Sequence, residues 1–365
     1  MKTSWRCAGW LVSSALMILL IGCNSNKGEN GKPVAAGGGN GNELIGAGST
    51  FVYPIMSRWI SDFQAKNPAV QINYQSIGSG GGIQQLTKGL VQFAASDMAV
   101  DDQKAADIAG GVVQVAESAG PVCITYNLPD LKEPLKLSAA SLSGIFLGTV
   151  KTWQDPMIKK DNPGVKLPNT AIAVAHRSDG SGTTNIFTTY LSAVSPQWKS
   201  KVGQGLSVNW PVGLGGKGSE GVTGIVKQTP GAIGYVELTY AETNNLPVVL
   251  VENEAKQYVK PSAESSTAAI DAYSSELAKD VRTPIVNPPA SAKEAYPISG
   301  LTFLLIPTKG SDPAKADQLK KFVTYIIQDG QSISSGLHYS PLPSSLGQID
   351  MKLLDQVQAG SAAGM

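Results

Sequence analysis

The chain has 365 residues, with 29 lysines and arginines against 28 aspartates and glutamates, so its formal charge is close to zero. This balance argues against a nucleic-acid partner, which requires a strongly basic face. Only two histidines and three cysteines are present, and they form no cluster with the spacing of a metal site. We therefore expect no metal and no other cofactor. The length predicts two domains with ample core.

Residues 1–22 have the pattern of an export signal. Lys2 and Arg6 precede an apolar run, residues 8–21, that is too short to span a membrane comfortably. Residues 20–23 (LIGC) resemble the lipobox of bacterial lipoproteins, in which the cysteine is lipidated and becomes the first mature residue. We therefore expect an exported protein that a lipid on Cys23 anchors to a membrane, in the periplasm or at the cell surface. An ordinary cleaved signal or a short anchor is the alternative.

A flexible tether is predicted to follow the export signal. Residues 23–42 are rich in glycine and asparagine and contain almost nothing to bury. Loss of residues 1–22 removes Lys2 and Arg6, which leaves 343 residues and changes the formal charge from +1 to −1. Any anion site must therefore depend on local geometry. Cys123 lies in an apolar run and is expected to be a small buried residue without a disulfide partner.

The remaining chain is predicted to alternate strands and helices, which favours an α/β architecture. Apolar residues recur at helical spacing between residues 52 and 63, and a helix is expected to start near Ile83. A further apolar helical stripe covers residues 319–327. Strands are predicted at residues 70–74, 91–97, 114–125, 171–175, 232–236 and 301–307. Residues 252–296 are polar and rich in proline and serine, and they give no clear prediction.

Three turns rich in glycine, serine and threonine lie at residues 48–50, 78–80 and 180–183. In α/β folds, ligands bind where strands end and helices begin. Helix N-termini offer unpaired N–H donors and a partial positive charge, which suit an anion. Arg177 adds a forked cationic donor, and Asp179 is placed to hold it. The alternative is a set of ordinary strand–turn–helix connections in which serine or threonine only caps the helix.

A fourth glycine-rich run, residues 213–218, invites a nucleotide-binding interpretation. It is not a P-loop, because Pro211 stands at the first glycine position and Gly218 replaces the required serine or threonine. Residues 46–48 likewise lack the third glycine of the dinucleotide fingerprint, since Phe51 occupies that position. We interpret residues 213–218 as a connecting segment with many backbone N–H and carbonyl groups. Whether this segment contacts a ligand stays open.

Together these segments resemble the phosphate-binding protein of the bacterial phosphate-specific ABC importer. The resemblance extends from Gly46 to about Leu342 and is carried by separate motifs in the right order: GAGSTF (46–51), IGSGGG (77–82), ASD (95–97), RSDGSGTT (177–184), WPVGLGGKG (210–218) and PGAIGYV (230–236). It implies an α/β, two-domain periplasmic-binding-protein (Venus-flytrap) fold with two hinge crossings, near Tyr126 and Ser299. Domain I would comprise residues 43–125 and 300–365, and domain II residues 126–299.

The resemblance also implies a ligand, its contacts and a role. Phosphate would be held by hydroxyls, backbone N–H groups, one carboxylate and one guanidinium. These belong to Thr50, Phe51 (through its N–H), Ser79, Asp97, Arg177, Ser181, Gly182 and Thr183. Asp179 would hold Arg177 in place, whereas His176 stands where a further basic residue is expected. The implied protein is a monomer without catalytic activity that binds inorganic phosphate outside the cytoplasmic membrane and delivers it to the permease subunits of an ABC importer.

Two alternatives remain open. A carboxylate such as Asp97 is favourable beside an anion only if the ligand carries a proton to donate, as phosphate does near neutral pH and sulfate does not. A receptor for sulfate or molybdate would thus differ at Asp97, which could instead cap a turn. The second alternative is a hydrolase of phosphate or acyl esters. However, Asp179 and Thr183 replace the glycines that a nucleophile elbow needs on either side of Ser181.

Overall fold

The computed structural model of the protein describes residues 43–310 and 312–359. The expected export signal, the lipidation site at Cys23 and the tether of residues 23–42 lie outside the described residues. Within the described ranges, no helix is long and apolar enough to cross a membrane.

Strands and helices alternate along most of the described chain, as predicted. The strands are β1 (Glu43–Gly48), β2 (Gln71–Ser76), β3 (Phe93–Ser96), β4 (Val112–Tyr126), β5 (Lys136–Leu137), β6 (Ala173–Arg177), β7 (Leu214–Gly216), β8 (Ala232–Glu237), β9 (Leu250–Glu252), β10 (Tyr258–Val259), β11 (Ser299–Pro307), β12 (Lys309–Gly310) and β13 (Gln358–Ala359). The helices are α1 (Tyr53–Lys66), α2 (Ser79–Thr87), α3 (Asp102–Ala106), α4 (Ala139–Phe146), α5 (Pro156–Asp161), α6 (Gly182–Val194), α7 (Pro196–Lys201), α8 (Gly218–Gln228), α9 (Leu238–Thr243), α10 (Ala263–Ala272), α11 (Ser274–Leu277), α12 (Pro313–Gln328) and α13 (Ser344–Leu354). Two short 3-10 turns cover Gly330–Ile333 and Ser335–Leu337.

Eight strands form one mixed sheet in the order β2-β1-β3-β11-β4-β8-β6-β7. It contains two parallel groups, β2-β1-β3 and β8-β6-β7. The long strand β4 joins them, because its residues 112–121 pair with β11 and its residues 122–126 pair with β8. Both groups point their carboxyl ends toward the place where β4 changes partner: Glu237, the last residue of β8, pairs with Val122 there. The site predicted at strand ends therefore lies between the two groups.

The chain passes between the two groups at two places. β4 changes partner between Pro121 and Val122, and β11 begins at Ser299 opposite Pro121. The α/β architecture with two crossings is thus confirmed. Strand β4 continues as far as Tyr126, where we expected the first crossing, so the change of partner comes earlier than that residue.

The predicted apolar stripes form the core on both sides of the crossings. Helix α1 buries its stripe, including Trp59 and Phe63, and Phe63 meets Phe322 of α12 with ring centroids 5.2 Å apart. On the other group, Phe187 of α6 packs edge-on against Phe146 of α4 at 4.7 Å. Full burial of one such side chain stabilises the fold by about 1.5–3 kcal/mol. Cys123 is buried, as predicted, and its thiol is free.

The start of α2 differs from the prediction. The sequence placed it near Ile83, after a glycine-rich turn, but α2 begins at Ser79 and includes all three glycines in its first turn. Glycine disfavours helix by about 1 kcal/mol relative to alanine, and tertiary packing overrides this preference. A Cβ at Gly82 would lie 2.5 Å from the carbonyl oxygen of Ala47, and a Cβ at Gly80 would lie 3.0 Å from the Cα of Gly180. The glycines allow α2 to approach both β1 and the loop before α6.

Candidate functional site

Four helices begin where the two strand groups face each other. Helices α1 and α2 follow β1 and β2, and helices α6 and α8 follow β6 and β7. Direct hydrogen bonds join the residues at their starts, as described below. Each helix start leaves backbone N–H groups without an intrahelical partner and carries a partial positive charge. Such a convergence favours an anion.

Residues 49–51 connect β1 to α1 and are buried. The hydroxyl of Ser49 donates to Asp97 Oδ1 and accepts from the N–H of Phe51 at 3.0 Å. Thr50 Oγ1 lies 2.8 Å from Ser219 Oγ, and it also accepts from the N–H of Ser219 at 3.2 Å. Since Ser219 lies in the first turn of α8, Thr50 links one strand group to the other.

Ser79 forms a second link between the groups. Its hydroxyl oxygen accepts from the N–H of Asp97 at 3.3 Å and from the N–H of Gly182 at 3.1 Å. The hydroxyl proton of Ser79 is therefore free to donate to a ligand. Thr183 Oγ1 donates to Asp97 Oδ2 at 3.4 Å, so the first turn of α6 contacts the carboxylate at the end of β3.

The buried Arg177 forms an ion pair with Asp179, which is partly buried. Arg177 Nε and Nη2 donate to the two carboxylate oxygens of Asp179 at 2.8 and 2.5 Å, and the N–H of Gly218 donates to Asp179 Oδ1 at 3.0 Å. Burial raises the pKa of Asp179, but the hydrogen bonds and charge of Arg177 more than offset this, so its pKa lies below the ordinary value. Asp179 is therefore ionised at neutral pH, and the remaining guanidinium N–H groups are available for an anion.

Asp97 is only 4% exposed and lies among hydroxyls. Burial raises its pKa to about 6, against the opposing effects of the Ser49 hydrogen bond and the positive charge of Arg177. At neutral pH most of the carboxylate is ionised and accepts hydrogen bonds. It is thus suited to a ligand that brings a proton of its own.

Ser181 is the N-cap of α6, and its hydroxyl oxygen accepts from the N–H of Thr184 at 3.1 Å. The alternative that a serine caps the helix is therefore correct for the Ser181 oxygen. The hydroxyl proton of Ser181 takes no part in this cap and stays available to donate. The structure therefore brings together all eight residues that the resemblance implied. Seven of them make direct hydrogen bonds within the cluster, and Ser181 adjoins Gly182.

Sequence reasoning missed Ser49 and Ser219. Ser49 lies in the same motif as Thr50, but only the fold shows that its hydroxyl reaches Asp97. Ser219 follows the glycine-rich run 213–218, for which ligand contact was left open. A glycine run that leads into a helix with serine in its first turn was the available signal.

The ring of His176 contacts Trp210 and the backbone of Arg177. Its ring stacks on Trp210 with centroids 4.9 Å apart, and Nδ1 lies 3.0 Å from the carbonyl oxygen of Arg177. Within residues 43–310 and 312–359, no three histidine, cysteine, aspartate or glutamate side chains come together as a metal site would require.

Known proteins are similar to this chain in sequence and in fold. A family model described as a PBP superfamily domain matches residues 33–329. The chain is 43% identical over 306 residues to the phosphate-binding protein PstS of Xylella fastidiosa strain Temecula1, an alignment that covers 83% of this chain and 82% of that protein. The chain belongs to the PstS family of phosphate-binding proteins.

A second relative and a solved structure are also similar to this chain. The PstS protein of Pasteurella multocida strain Pm70 is 41% identical over 307 residues, which cover 84% of this chain and 88% of that one. The structure of the periplasmic phosphate-binding protein PfluDING, solved with bound phosphate, superposes with a TM-score of 0.66 over 84% of this chain and 92% of that chain, at 22% identity. At that identity the likeness concerns the fold, and it confirms the expected two-domain periplasmic-binding-protein fold.

Proposed function

We propose that the protein binds inorganic phosphate outside the cytoplasmic membrane and delivers it to the permease subunits of an ABC importer. The observation that supports this proposal most strongly is the buried cluster of Asp97 and Arg177 with the first residues of helices α1, α2, α6 and α8. Membership of the PstS family supports the same ligand. The cluster combines one permanent cation with many neutral donors, which spread the charge of an anion.

The proposed phosphate contacts are those that the resemblance implied. They are Thr50, Phe51 through its N–H, Ser79, Asp97, Arg177, Ser181, Gly182 and Thr183. Asp179 holds Arg177 in place through two hydrogen bonds. The Asp97 carboxylate accepts the proton that the ligand carries, and this favours phosphate over sulfate or molybdate.

Half of the proposed contacts come from each domain, if the domains comprise residues 43–125 with 300–365 and residues 126–299. Thr50, Phe51, Ser79 and Asp97 belong to the first, and the rest to the second. Binding would then draw the domains together across the two crossings. The hydrogen bond from Gly182 to Ser79 supports such a closed arrangement.

We further propose that the protein acts as a monomer, tethered by a lipid on Cys23 through residues 24–42. The lipobox-like LIGC sequence at residues 20–23 supports this anchor. A catalytic role is not proposed. The hydroxyl oxygen of Ser181 already caps α6, and His176 stacks on Trp210.

Calorimetric titration of the mature protein tests the ligand. The protein is first unfolded, dialysed and refolded to remove any anion carried through purification. Phosphate is expected to bind at one site per chain, arsenate to compete with it, and sulfate to give no heat. A ligand at 100 times its Kd stabilises the folded state by about 2.7 kcal/mol, so phosphate should also raise the melting temperature. Binding of sulfate or molybdate without phosphate would overturn the proposal.

A further inference from the structure

Three consecutive carbonyl groups in the loop between β1 and α1 accept hydrogen bonds from three tyrosines. The hydroxyl of Tyr74 donates to the carbonyl of Ser49 at 2.9 Å. The hydroxyl of Tyr240 donates to the carbonyl of Thr50 at 2.6 Å, and that of Tyr339 donates to the carbonyl of Phe51 at 2.6 Å. The tyrosines come from β2, from α9 and from the segment after the second 3-10 turn. Distant parts of the chain thus converge on one short loop.

These carbonyls have no partner in the helix that follows. The helix α1 begins at Tyr53, and its first backbone bond runs from the N–H of Met56 to the carbonyl of Val52. Residues 49–51 are almost completely buried, and a buried carbonyl without a partner is costly. The tyrosine hydroxyls satisfy all three, although none of the three lies near residues 49–51 in sequence.

A hydrogen bond that holds the carbonyl of one residue also orients the N–H of the next residue, because both groups belong to one rigid peptide plane. The carbonyl of Thr50 shares its plane with the N–H of Phe51, which is a proposed phosphate donor. In the structure this N–H points to Ser49 Oγ, which itself contacts Asp97. A hydrogen bond to the carbonyl oxygen additionally polarises the amide and strengthens its N–H as a donor.

We propose that Tyr74, Tyr240 and Tyr339 are positioning residues for phosphate, which hold the peptide planes of residues 49–51 and thereby keep the N–H of Phe51 at the site beside Ser49 and Asp97. This inference rests on the proposed function. The three hydroxyls do not contact the ligand themselves. They act through the loop.

The three tyrosines differ in when they contact the loop. Tyr74 and Tyr339 lie in the proposed first domain, as the loop does. Tyr240 lies in the second, so its bond to Thr50 forms only when the domains close. Its hydroxyl also lies 3.1 Å from Glu220 Oε1, which gives it an acceptor when Thr50 is withdrawn. Tyr240 therefore prolongs the closed state as well as orienting the loop.

Tyr339 has a second buried neighbour. Its hydroxyl lies 3.1 Å from Glu237 Oε2 and 2.6 Å from the carbonyl of Phe51. A hydroxyl has one proton, and the shorter distance assigns it to the carbonyl. The Glu237 carboxyl is therefore the second, longer contact of the same hydroxyl. The contacts with Phe51 and Glu237 together hold the Tyr339 side chain in place.

The test replaces each tyrosine by phenylalanine, which removes the hydroxyl and keeps the ring. Calorimetry and stopped-flow kinetics with inorganic phosphate are expected to show affinity weakened about three- to tenfold in Tyr74→Phe, Tyr240→Phe and Tyr339→Phe. In Tyr240→Phe the loss should appear as faster phosphate release with an unchanged association rate. The Phe51 amide proton of the phosphate complex should shift upfield in the same variant, because its peptide plane is no longer polarised.

Tyr273→Phe is the matched control. Its hydroxyl donates to the carbonyl of Val286 at 2.8 Å, away from the site, so this variant loses a similar bond without touching the loop. It should bind phosphate like the unmodified protein. Unchanged phosphate binding in all three loop variants, or an unchanged Phe51 amide resonance in Tyr240→Phe, would contradict the inference.

Two further results keep the test decisive. Tyr339 is fully buried, whereas Tyr74 and Tyr240 are half-buried, so the latter two variants decide the question if Tyr339→Phe fails to fold. If the unmodified protein binds no phosphate, the proposed function is wrong and the inference fails with it. Phosphate binding that is insensitive to all three substitutions would overturn the inference alone.

Discussion

The backbone N–H of Gly182 donates to Ser79 Oγ over 3.1 Å and joins the starts of two helices that belong to different strand groups. This approach requires glycine at position 182. A Cβ there would lie 2.6 Å from both the Cβ and the backbone nitrogen of Asp97. The backbone nitrogen cannot rotate away, so a methyl group would push the start of α6 away from Asp97, whose N–H also donates to Ser79 Oγ.

We therefore expect Gly182→Ala to weaken phosphate binding at least about tenfold, equivalent to ~1.4 kcal/mol. The measurement is calorimetric titration of the mature protein. Gly224→Ala is the matched control, because an added Cβ at this position in α8 has no atom within 4 Å. It should leave affinity unchanged and stabilise α8 slightly, since alanine favours helix. Equal phosphate affinities of Gly182→Ala and Gly224→Ala would show that the close contact of Gly182 with Ser79 is not needed for binding.

Arg177 is expected to be the principal charge partner of phosphate. It is 4% exposed, and its guanidinium is held by two hydrogen bonds to Asp179. A hydrogen bond to a charged group contributes about 1.5–3 kcal/mol, so Arg177→Ala should weaken phosphate binding by at least about tenfold. Asp179→Ala should weaken it less, because Arg177 keeps its charge and loses only its orientation.

Arg58→Ala provides the comparison for Arg177. Arg58 also pairs with an aspartate, since its Nε donates to both carboxylate oxygens of Asp62 at 2.9 Å, but its side chain is 58% exposed on α1. This substitution removes the same charge without affecting the site, so phosphate affinity should stay constant. A larger loss in Asp179→Ala than in Arg177→Ala would reverse the assigned roles, with Asp179 meeting the ligand.

The sequence predicted most of this arrangement because local signals coincide at the site. Alternating apolar residues located the strands, and the motif around Arg177 follows β6 directly. What the sequence did not reveal depends on long-range contacts. Because glycine has a low helix propensity, the sequence predicted a turn for the three glycines of α2. In the structure they lie in the helix, where the lack of a side chain allows the close approach to Ala47 and Gly180.

The partners of the site were harder to predict than the site itself. Tyr240 and Tyr339 contact residues 49–51 from 190 and 288 residues away along the chain. A tyrosine in an apolar segment is ordinary core from sequence alone. Only the tertiary fold shows which carbonyl its hydroxyl reaches.

A lipid on Cys23 predicts a simple labelling result. Cys23→Ser should abolish incorporation of radioactive palmitate and release the protein from membranes as an unlipidated form. Cys7→Ser is the matched control, because it changes a cysteine within the same expected signal but outside the LIGC sequence. It should be labelled like the unmodified protein. Equal labelling of Cys23→Ser would end the lipid-anchor proposal.

Three buried carboxyl groups predict that stability falls as the pH rises. Burial raises the pKa of Glu117 and of Glu237 to about 8, and that of Asp350 to about 7. The folded state therefore binds these protons more tightly than the unfolded chain. For Glu117 the stabilisation is complete below its unfolded pKa, near 4.5, and is lost as the pH rises toward 8. The slope can reach about 1.4 kcal/mol per pH unit for each group.

Glu117→Gln should flatten this decline, since glutamine stays neutral. Denaturant unfolding between pH 5 and 8.5 measures it, with Glu133→Gln, at an exposed position, as the comparison. The Glu117 variant should lose less stability across this range than Glu133→Gln. Parallel profiles for the two variants would mean that Glu117 is ionised in the folded protein.

Asp97 is expected to determine which oxyanion the site accepts. The carboxylate accepts hydrogen bonds from Ser49 and Thr183 and is mostly ionised at neutral pH, because its pKa is about 6. A ligand with no proton to donate would leave this charge unpaired beside its own. Missing-donor discrimination of this kind reaches about 10⁴–10⁵. Sulfate should therefore fail to displace labelled phosphate at pH 7.5 even in large excess, whereas arsenate should displace it.

Asp97→Asn tests the cause of this selectivity. Asparagine keeps an acceptor carbonyl, removes the negative charge and adds N–H donors, so the variant should retain much of its phosphate affinity and begin to admit sulfate. Asp101→Asn changes a nearby carboxylate that caps α3 through the N–H of Lys104, and it should reject sulfate as the unmodified protein does. If sulfate displaced phosphate from the unmodified protein, Asp97 could not be the discriminator. The neutral donors and Arg177 would then bind tetrahedral oxyanions without regard to their protonation.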